Sequence, residues 1–457
     1  MKTALVFPPL YGVDLPPIGL AYVAAQLRAD GHKVKVFCFN SRLYREYADK
    51  RHLWDWQNSN TWLDYDEIKR NFDIKHIVDQ WAGDILNFGP DVVGFSVNTY
   101  SRLIANLLSR RIKREQDNVK IIYGGPFCSE GLEGKKSLDA NVDIYVKGEG
   151  EMAASTILKR LTKQEPLTDI KGIIFKENGI FCDNGHYAAI VPINEIPFPA
   201  LDLFNLGHYG NKKEIPIIFS RGCNYYCRFC SDRPMWGRYR MRSAVNIVEE
   251  MKRHKLAFGR TAFKCNDLLV NGDLPELEQL AELLIKENLN ISWGGMARAR
   301  ADMTDGLLHK LKEAGCAYLT FGIESGSNKI LKFMGKPAAK EVKIALQRTH
   351  KAGIRINTLW MVGHPRESFF DVLKTILFLF KNRKCIDEFV SVSACYIPKN
   401  SLLYRQAENL QIRYDRQGSW YIEKEKNTYR RRQRMAFLLR VSARVLGLYT
   451  GGIRSDY

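Results

Sequence analysis

The sequence predicts an α/β protein built from two successive parallel sheets. Short apolar runs alternate with helical patterns over the first 165 residues, and a second alternation begins near residue 211. The first series is typical of a doubly wound, Rossmann-like sheet, and the six strand–helix units of the second indicate a partial (β/α)6 barrel. We therefore expect a sheet domain over 1–165, a linker with a hairpin over 166–210, the barrel over 211–410 and a basic helical tail over 411–457.

The strands of the first series are the runs TALVF, HKVKVF, PDVVGFSV, VKIIYGGP and VDIYVKGEGE. A helix from about Gly19 to Asp30 separates the first two strands and is stopped by Gly31. The segment 44–88 predicts a helical insertion whose tryptophans belong to the core: Trp54, Trp56, Trp62 and Trp81. In the linker, the run GIIFKENGIFCDNG predicts a β-hairpin.

Composition limits the cellular context. No apolar run approaches the roughly 18 residues of a membrane span, and the N-terminus lacks the long apolar region of a signal peptide. With ten cysteines and no export signal, the sequence predicts reduced thiols in a cytoplasmic protein. The formal net charge of +19 fits an anionic partner, such as nucleic acid, a membrane or a phosphorylated substrate, and fits equally well a protein with solvated basic faces. Because no nucleic-acid motif is present, no nucleic-acid partner is expected.

The tail contains a basic amphipathic helix, YRRRQRMAFLLRVSARVLGLY. Two interpretations are open. Either the helix contacts an anionic membrane or another partner, which would place the protein at the inner membrane face, or it packs an apolar face on the barrel. That face would consist of Phe437, Leu438, Val441, Val445 and Leu448.

Three cysteines follow the first strand of the predicted barrel: Cys223, Cys227 and Cys230, with the spacing C-x3-C-x2-C. Active sites of such barrels lie at the carboxyl ends of the strands. A disulfide would leave one cysteine over, and a zinc site needs a fourth ligand, for which His254 is far away in the chain. An iron–sulfur cube held by three thiolates keeps one iron open for chemistry. A basic nucleic-acid-binding protein with a structural metal remains the alternative of another class.

With the aromatic Phe229 before the last cysteine, this spacing resembles the signature of the radical S-adenosylmethionine (SAM) superfamily. The resemblance implies that Cys223, Cys227 and Cys230 bind a [4Fe-4S] cluster whose open iron is chelated by SAM, with Phe229 near the adenine. Reductive cleavage of SAM then gives methionine and a 5′-deoxyadenosyl radical, which abstracts a hydrogen atom.

Later strand ends resemble the family in order along the chain. Asn266 and Asp267 stand where the family contacts the SAM amino group, although its usual Gly-Gly-Glu is absent. By the resemblance, Arg300 holds the SAM carboxylate, and Glu324 and Ser325 contact the ribose. The runs MVGHPRES and YIPKNSLLY resemble the family's G-x-P-G-E-T and P-G-T-x-L-Y stretches.

The N-terminal sheet resembles the cobalamin-binding domain of B12-dependent radical SAM enzymes through its P-x-G-L-A-Y-V-A-A helix and its GGP and GEGE strand ends. The resemblance covers about 1–410. It implies cobalamin contacts from Ser96, Asn98, Thr99, Gly124, Gly125, Gly148 and Glu149. None of the nine histidines lies in the D-x-H-x-x-G motif of methionine-synthase-type domains, so the lower face of the cobalt is open or filled by another group.

The resemblance implies a cobalamin-dependent radical SAM enzyme that most closely fits a methyltransferase acting on an unactivated carbon. The alternatives are a cyclase or rearrangement enzyme with the same cofactors and a radical SAM enzyme whose sheet has lost cobalamin. The implied partners are a small-molecule or lipid substrate and a one-electron donor such as flavodoxin or ferredoxin. No segment indicates which substrate is used.

Overall fold

The computed structural model describes residues 1–130, 132, 137–187, 189, 192–415 and 418–448. The chain divides into two compact units, one formed by Met1–Lys212 and one that begins at Lys213. Each unit contains a largely parallel sheet with its own helices, so the predicted α/β class is confirmed.

The first unit contains a seven-stranded sheet in the order β2-β1-β3-β4-β5-β6-β7. Its strands are β1 (Lys2–Phe7), β2 (Lys33–Cys38), β3 (Val92–Ser96), β4 (Lys120–Gly124), β5 (Ile144–Val146), β6 (Ile173–Glu177) and β7 (Ile180–Asp183). The first five strands pair in parallel, and their carboxyl ends therefore share one edge of the sheet. Strand order reverses at β1, which is the switch point of a doubly wound sheet.

The helices of this unit connect and cover the strands. They are α1 (Ile18–Ala29), α2 (Phe39–Glu46), α3 (Tyr65–Asn71), α4 (Ile74–Leu86), α5 (Arg102–Glu115), α6 (Pro126–Glu130) and α7 (Gly150–Lys163). The bounds of α1 agree with the helix expected from the sequence. Its Leu20, Ala21 and Ala24 are buried because the apolar positions recur at helical spacing.

The tryptophan-rich insertion forms part of the core, as expected, with one exception. Trp81 stacks on Phe39 with ring centroids 4.4 Å apart, and Trp54 meets Trp62 edge to face at 5.0 Å. These four rings are buried. Trp56 is instead more than half exposed, because it begins a surface 3₁₀ turn, so the expectation that it belongs to the core was wrong.

The hairpin expected in the linker is formed by β6 and β7. Asn178 and Gly179, which connect the two strands, both have positive φ, as the tight turns of two-residue hairpins require. Strand β6 also pairs antiparallel with β5, so this part of the linker extends the sheet.

The second unit contains a six-stranded parallel sheet in the order β8-β11-β12-β13-β14-β15, together with two short antiparallel ribbons. The long strands are β8 (Glu214–Ile217), β11 (Ala262–Cys265), β12 (Ser292–Ala297), β13 (Cys316–Glu324), β14 (Arg355–Val362) and β15 (Glu388–Ala394). The ribbons pair β9 (Ser220–Arg221) with β10 (Arg240–Met241) and β16 (Arg413–Tyr414) with β17 (Trp420–Tyr421). Strands β8 and β15 remain edges, as in a partial barrel.

The helices of the second unit lie between successive strands and after the last one. They are α8 (Asp232–Trp236), α9 (Ala244–Phe258), α10 (Leu274–Glu287), α11 (Asp305–Glu313), α12 (Asn328–Met334), α13 (Ala339–Lys351), α14 (Phe369–Asn382), α15 (Leu402–Arg405) and α16 (Tyr429–Val445). A small separate core around Leu403 and Trp420 packs against Phe229 and Phe333. The segment after β15 therefore covers the region of the three cysteines.

Helix α16 packs against β15, β14 and α14 by a face that the sequence did not indicate. Its buried side chains are Arg432, Met435, Ala436, Leu439 and Ala443. Of the expected apolar face, Phe437, Val441 and Val445 are exposed, so the expectation that they pack on the barrel was wrong. Leu438 is half-buried and Leu448 is buried. The rotation of the helix is set by Arg432, which lies against Trp420 and donates to the Trp420 carbonyl at 2.8 Å.

Within the described residues, no helix combines the length and the apolar composition needed to cross a bilayer.

Candidate functional site

The three cysteines lie on the loop between β9 and β10, directly beyond the carboxyl end of β8. Gly222 opens this loop with φ of 78°, and a Cβ there would come within 2.2 Å of the Arg238 carbonyl oxygen. Only glycine fits this close backbone approach. The sequence pattern therefore places the cysteines where parallel barrels carry their chemistry.

The three thiols are partly buried neighbours. Burial raises the pKa of the Cys223 thiol, and burial followed by nearby Asp232 raises the pKa of Cys230 to about 12. The Tyr225 N–H points at the Cys223 sulfur at 3.5 Å, and Cys230 N–H donates to the Cys227 carbonyl at 3.1 Å. A raised thiol pKa, as for Cys223 and Cys230, means that metal binding must displace the proton, which is ordinary for structural and cluster ligands.

No three His, Cys, Asp or Glu side chains in the described part of the chain converge on one metal ion. In an iron–sulfur cube each cysteine binds a different iron, so the sulfurs do not share a single point. His254, the nearest downstream histidine, is buried on α9 beside Glu250 at 3.2 Å. Donor chemistry and the nearby cations thus fit a cluster better than a single zinc ion.

Arg298 is the cation that reaches the cysteines. Its Nη1 lies 3.8 Å from the Cys227 sulfur, and its Nη2 donates to the Gly335 carbonyl at 2.9 Å. The guanidinium also lies 3.7 Å from the centroid of the Tyr225 ring. These three contacts fix the positive charge beside the sulfur, where it would offset thiolate charge. The sequence analysis missed Arg298, although it named its neighbour Arg300.

Arg300 is held differently. Its Nε and Nη2 pair with Asp302 at 2.6 and 2.5 Å, and its Nη1 donates to the Asn271 carbonyl at 2.9 Å. The Asp302 carboxylate raises the pKa of Arg300. A contact between Arg300 and the SAM carboxylate stays a prediction, and Asp302 would compete for that guanidinium.

The end of helix α12 is the second support of the cysteine loop. Arg228 N–H donates to the Met334 carbonyl at 3.1 Å, and the Arg228 carbonyl accepts from Leu403 N–H at 2.8 Å. Gly335 follows in the left-handed conformation with φ of 78°. The peptide of Arg228 therefore connects the cysteine loop to α12 on one side and to α15 on the other.

Lys336 and Glu324 form an ion pair of 3.0 Å with only 12% and 10% of the two side chains exposed. Lys336 Nζ also donates to the Gly322 carbonyl at 2.9 Å and lies 5.6 Å from the Phe229 ring centroid. Burial alone would lower the pKa of Lys336, but Glu324 and Cys227 together raise it. A permanent positive charge therefore lies near the predicted cluster ligands.

Three other residues predicted to contact SAM lie at strand ends. Asp267 is buried and accepts hydrogen bonds from Phe219 N–H, Ser220 N–H and the Ser220 hydroxyl. Burial raises the pKa of this carboxyl to about 6. Asp267 thereby anchors the strand that leads into the cysteine loop, whereas the adjacent Asn266 is exposed. Ser325 is buried and shares a 3.1 Å hydrogen bond with Thr375.

The GHPRE stretch after β14 contains two buried polar atoms without a hydrogen-bond partner. His364 Nδ1 lies 3.4 Å from the Cys395 sulfur, but its Nε2 has no partner. Glu367 Oε2 accepts from Gly363 and His364 N–H, while its Oε1 has none. Burial lowers the pKa of His364 to about 3 and raises that of Glu367 to about 7. The His364 ring is 5.8 Å from the Phe229 ring, and the sequence analysis did not single out either His364 or Glu367.

The residues predicted to contact cobalamin lie at the carboxyl edge of the first sheet, and several of them have structural roles there. Ser96 pairs in register with Gly124, and Gly148 N–H donates to the Ser129 hydroxyl at 2.8 Å. Gly125 has φ of 94°, and a Cβ there would come within 2.8 Å of the Val97 carbonyl oxygen. Glycine is thus needed at this turn for the fold itself.

Asn98 and its neighbours organise the loop after β3. The Asn98 carbonyl oxygen of the side chain accepts from Tyr100 and Ser101 N–H, and its amide donates to the Leu10 carbonyl at 2.9 Å. Thr99 is exposed, and Glu149 is buried at the start of α7. The cobalamin contacts of Ser96, Asn98, Thr99, Gly124, Gly125, Gly148 and Glu149 stay predictions.

A family model described as the radical SAM superfamily matches residues 217–379. The matched region begins at the end of β8 and contains the cysteine loop. Residues 217–379 therefore carry a radical SAM domain. This confirms the prediction of a radical SAM enzyme that was made from the cysteine spacing.

Among curated proteins, an uncharacterized methyltransferase of Pyrococcus horikoshii is 28% identical over 393 residues, which cover 83% of this chain and 78% of the relative. The anaerobic magnesium-protoporphyrin IX monomethyl ester cyclase of Synechocystis is 25% identical, with 63% of this chain and 59% of the relative covered. The chain therefore resembles both methyltransferases and cyclases in sequence.

Two solved structures share the fold. TsrM from Kitasatospora setae, a radical SAM methyltransferase with cobalamin and a [4Fe-4S] cluster bound, has a TM-score of 0.68 at 14% identity over 89% of this chain and 75% of its own. The cobalamin-dependent SAM radical enzyme OxsB has a TM-score of 0.69 at 18% identity over 94% of this chain and 64% of its own. These likenesses confirm the predicted fold of a B12-binding radical SAM enzyme.

Proposed function

We propose that the protein is a cobalamin-dependent radical SAM methyltransferase that methylates an unactivated carbon of a small-molecule or lipid substrate. The observation that carries the proposal is the cysteine loop at the carboxyl end of β8, with two fixed cations beside it. Cys223, Cys227 and Cys230 would hold the [4Fe-4S] cluster, and the edge that contains Ser96 and Gly124 would hold cobalamin. When bound, these cofactors supply one-electron cleavage of SAM and a transferable methyl group.

The chain's own residues prepare the site for a charged ligand. Arg298 and Lys336 place positive charge near the sulfurs, which favours thiolates and lowers the cost of adding an electron nearby. Phe229 and His364 form a largely apolar wall with one unpartnered nitrogen, His364 Nε2. Because this nitrogen is buried, a hydrogen bond from a ligand would relieve a desolvation cost. We assign the adenine side of SAM to this wall.

Two observations favour methyl transfer over cyclisation. The Pyrococcus horikoshii relative, whose alignment covers more of both chains than that of the cyclase, is described as a methyltransferase. TsrM, which has a similar fold, is also described as a methyltransferase. Because one relative is described as a cyclase, ring formation is the second candidate reaction.

The proposal includes a one-electron donor, and a cationic cleft next to the cysteine loop supports its docking. The cleft has a volume of about 320 Å³ and is lined by Arg228, Lys329, Ile330, Lys332, Phe333 and Arg366. Four of these six residues are basic. An acidic flavodoxin or ferredoxin would complement such a surface.

The donor assignment can be tested with charge reversals. We expect Lys332→Glu combined with Arg366→Glu to slow SAM cleavage driven by flavodoxin at least tenfold at low salt, and to leave cleavage driven by dithionite unchanged. Lys340→Glu, at an exposed position outside the cleft, is the matched control. Equal slowing with both reductants would contradict a docking role.

The main proposal is tested with anaerobically reconstituted protein. We expect visible absorbance from a bound corrinoid, release of 5′-deoxyadenosine, and transfer of label from methyl-deuterated SAM to a product. Cys227→Ala should abolish SAM cleavage, and Cys182→Ala, on the β6–β7 hairpin, should not. A product without the added label but with a new ring would favour the cyclase instead.

We further propose that α16 brings the protein into peripheral contact with a membrane, because its exposed face is apolar and basic.

A further inference from the structure

Helix α14 exposes an apolar stripe to solvent. Phe370, Leu373, Leu377 and Phe380 follow one another at helical spacing, and each is more than 40% exposed, with Phe370 at 72%. The opposite face, which includes Val372 and Leu379, is buried against the unit. Large side chains usually occur singly on a protein surface, so four in one stripe indicate a surface that binds something.

Helix α16, which packs against α14, exposes a second stripe. Phe437, Val441 and Val445 are spaced by four residues, and Val445 is 81% exposed. The buried face of α16 is fixed by Arg432, so the helix cannot rotate this stripe inward without exposing a buried guanidinium. Two adjacent helices therefore both present apolar residues outward.

The exposed charges on these two helices have one sign. The acidic residue of α14, Asp371, is buried and hydrogen-bonded to Ser368 and Ser327. Its carboxylate also lies within ion-pair distance of Lys329, at 3.1 Å, and of Lys374, at 3.8 Å. Helix α16 contains no acidic residue. The charged side chains that are not buried are all basic: Lys374, Lys381, Arg430, Arg431, Arg434, Arg440 and Arg444. Positive charge therefore surrounds both apolar stripes.

We propose that the exposed faces of α14 and α16 form a docking surface for an anionic lipid bilayer. Phenylalanine, leucine and valine side chains would enter the boundary between headgroups and acyl chains, and the lysines and arginines would bind lipid phosphates. Neither α14 nor α16 is long and apolar enough to cross the membrane. The protein would lie on the bilayer surface.

Charge decides between this occupant and a second copy of the chain. A symmetric dimer through this surface would bring two sets of cations together, which is unfavourable without intervening anions. An anionic membrane supplies the opposite charge. The inference does not depend on methyl transfer, so a failed vesicle test leaves the proposed chemistry intact, and the reverse also holds.

The test uses the full chain and sedimentation with sucrose-loaded vesicles. Vesicles of phosphatidylglycerol and phosphatidylcholine should bind the protein, and pure phosphatidylcholine vesicles should bind it about tenfold more weakly or worse. Combining Phe370→Ser, Leu377→Ser and Phe380→Ser should weaken binding about tenfold or more. The matched control is Val245→Ser with Leu256→Ser, because both side chains are exposed on α9 of the same unit. That control should bind normally.

A second variant separates charge from apolar insertion and guards against misfolding. Arg430→Gln with Arg434→Gln should reduce binding to anionic vesicles about 30-fold, from roughly 1 kcal/mol per basic residue. Thermal unfolding of each variant should match the parent protein. Absence of vesicle binding by the parent, or a dimer in sedimentation equilibrium that the Phe370, Leu377 and Phe380 changes dissociate, would overturn the proposal.

Discussion

Lys336 and Glu324 pair at 3.0 Å in a nearly buried position, twelve residues apart in the chain with helix α12 between them. Glu324 lies at the end of β13, where the family resemblance implies a ribose contact, and Lys336 lies near Cys227. One ion pair thereby joins a predicted SAM position to a predicted cluster ligand. Removing either charge would leave the other buried and unpaired.

Lys336→Met should lower the free energy of unfolding by about 3 kcal/mol, because it strands Glu324 in a buried position. In reconstituted protein the cluster should also become harder to reduce, since a nearby cation favours the added electron. Urea unfolding and a redox titration followed by electron paramagnetic resonance measure the two effects. Lys340→Met, at an exposed site, should change neither. A normal midpoint potential in Lys336→Met would remove Lys336 from the electrostatics of the cluster.

Arg298→Gln and Arg300→Gln should behave differently. Arg298 contacts the Cys227 sulfur and the Gly335 carbonyl, so we expect its loss to slow SAM cleavage about tenfold and to reduce bound iron. Arg300 is paired with Asp302 and should leave iron binding unchanged. Iron content and the dissociation constant for SAM are the measurements. A large rise in that constant for Arg300→Gln alone would support the sequence-based prediction that Arg300 holds the SAM carboxylate.

Glu367 should make stability depend on pH between about 4 and 7. Burial raises the pKa of its folded-state carboxyl to about 7, above the unfolded value near 4.3, so protonation favours the folded state. This contribution is complete below the unfolded pKa and is lost as pH rises through 7, by about 3 kcal/mol in total. Glu367→Gln should flatten the curve of unfolding free energy against pH, whereas Glu408→Gln, at an exposed site, should not. Parallel curves for Glu367→Gln and the parent would refute this assignment.

Gly363→Ala should destabilise the second unit by about 3 kcal/mol. Gly363 has φ of 81°, and an added Cβ would come within 2.3 Å of the Arg432 side chain. Gly447→Ala is the matched control, because Gly447 also has positive φ but has no atom near the added Cβ. The control should cost about 1 kcal/mol. Equal losses in the two variants would mean that the contact with Arg432 is unimportant.

The fold could be predicted from local patterns because each strand and helix carries its own signal. The apolar run before Cys223 and the Asn178–Gly179 turn are examples that depend on neighbouring residues alone. The cysteine spacing is likewise local, and it predicted the radical SAM domain that the family model matches over residues 217–379.

The supports of the site were harder to predict because they join distant segments. The sequence around Lys336 does not indicate that this side chain pairs with Glu324. Arg298 and Arg300 are the same residue type two positions apart, and the sequence does not indicate that Arg298 is the one that contacts Cys227. The face of α16 was predicted wrongly because hydropathy favours burying Phe437 over Arg432. Burial of Arg432 is favourable because the Trp420 carbonyl accepts its hydrogen bond and Gly363 leaves space for its side chain. The sequence of the helix contains neither residue.

The two hydrogen bonds of the Arg228 peptide bear on how the holoenzyme matures. One partner, Met334, and the other, Leu403, are translated well after the last cysteine of the loop. When Cys230 has just emerged from the ribosome, the nascent chain therefore still lacks both hydrogen-bond partners of the Arg228 peptide. We expect iron and sulfide to be delivered after translation is nearly finished, to a chain that has already folded around its empty cysteines.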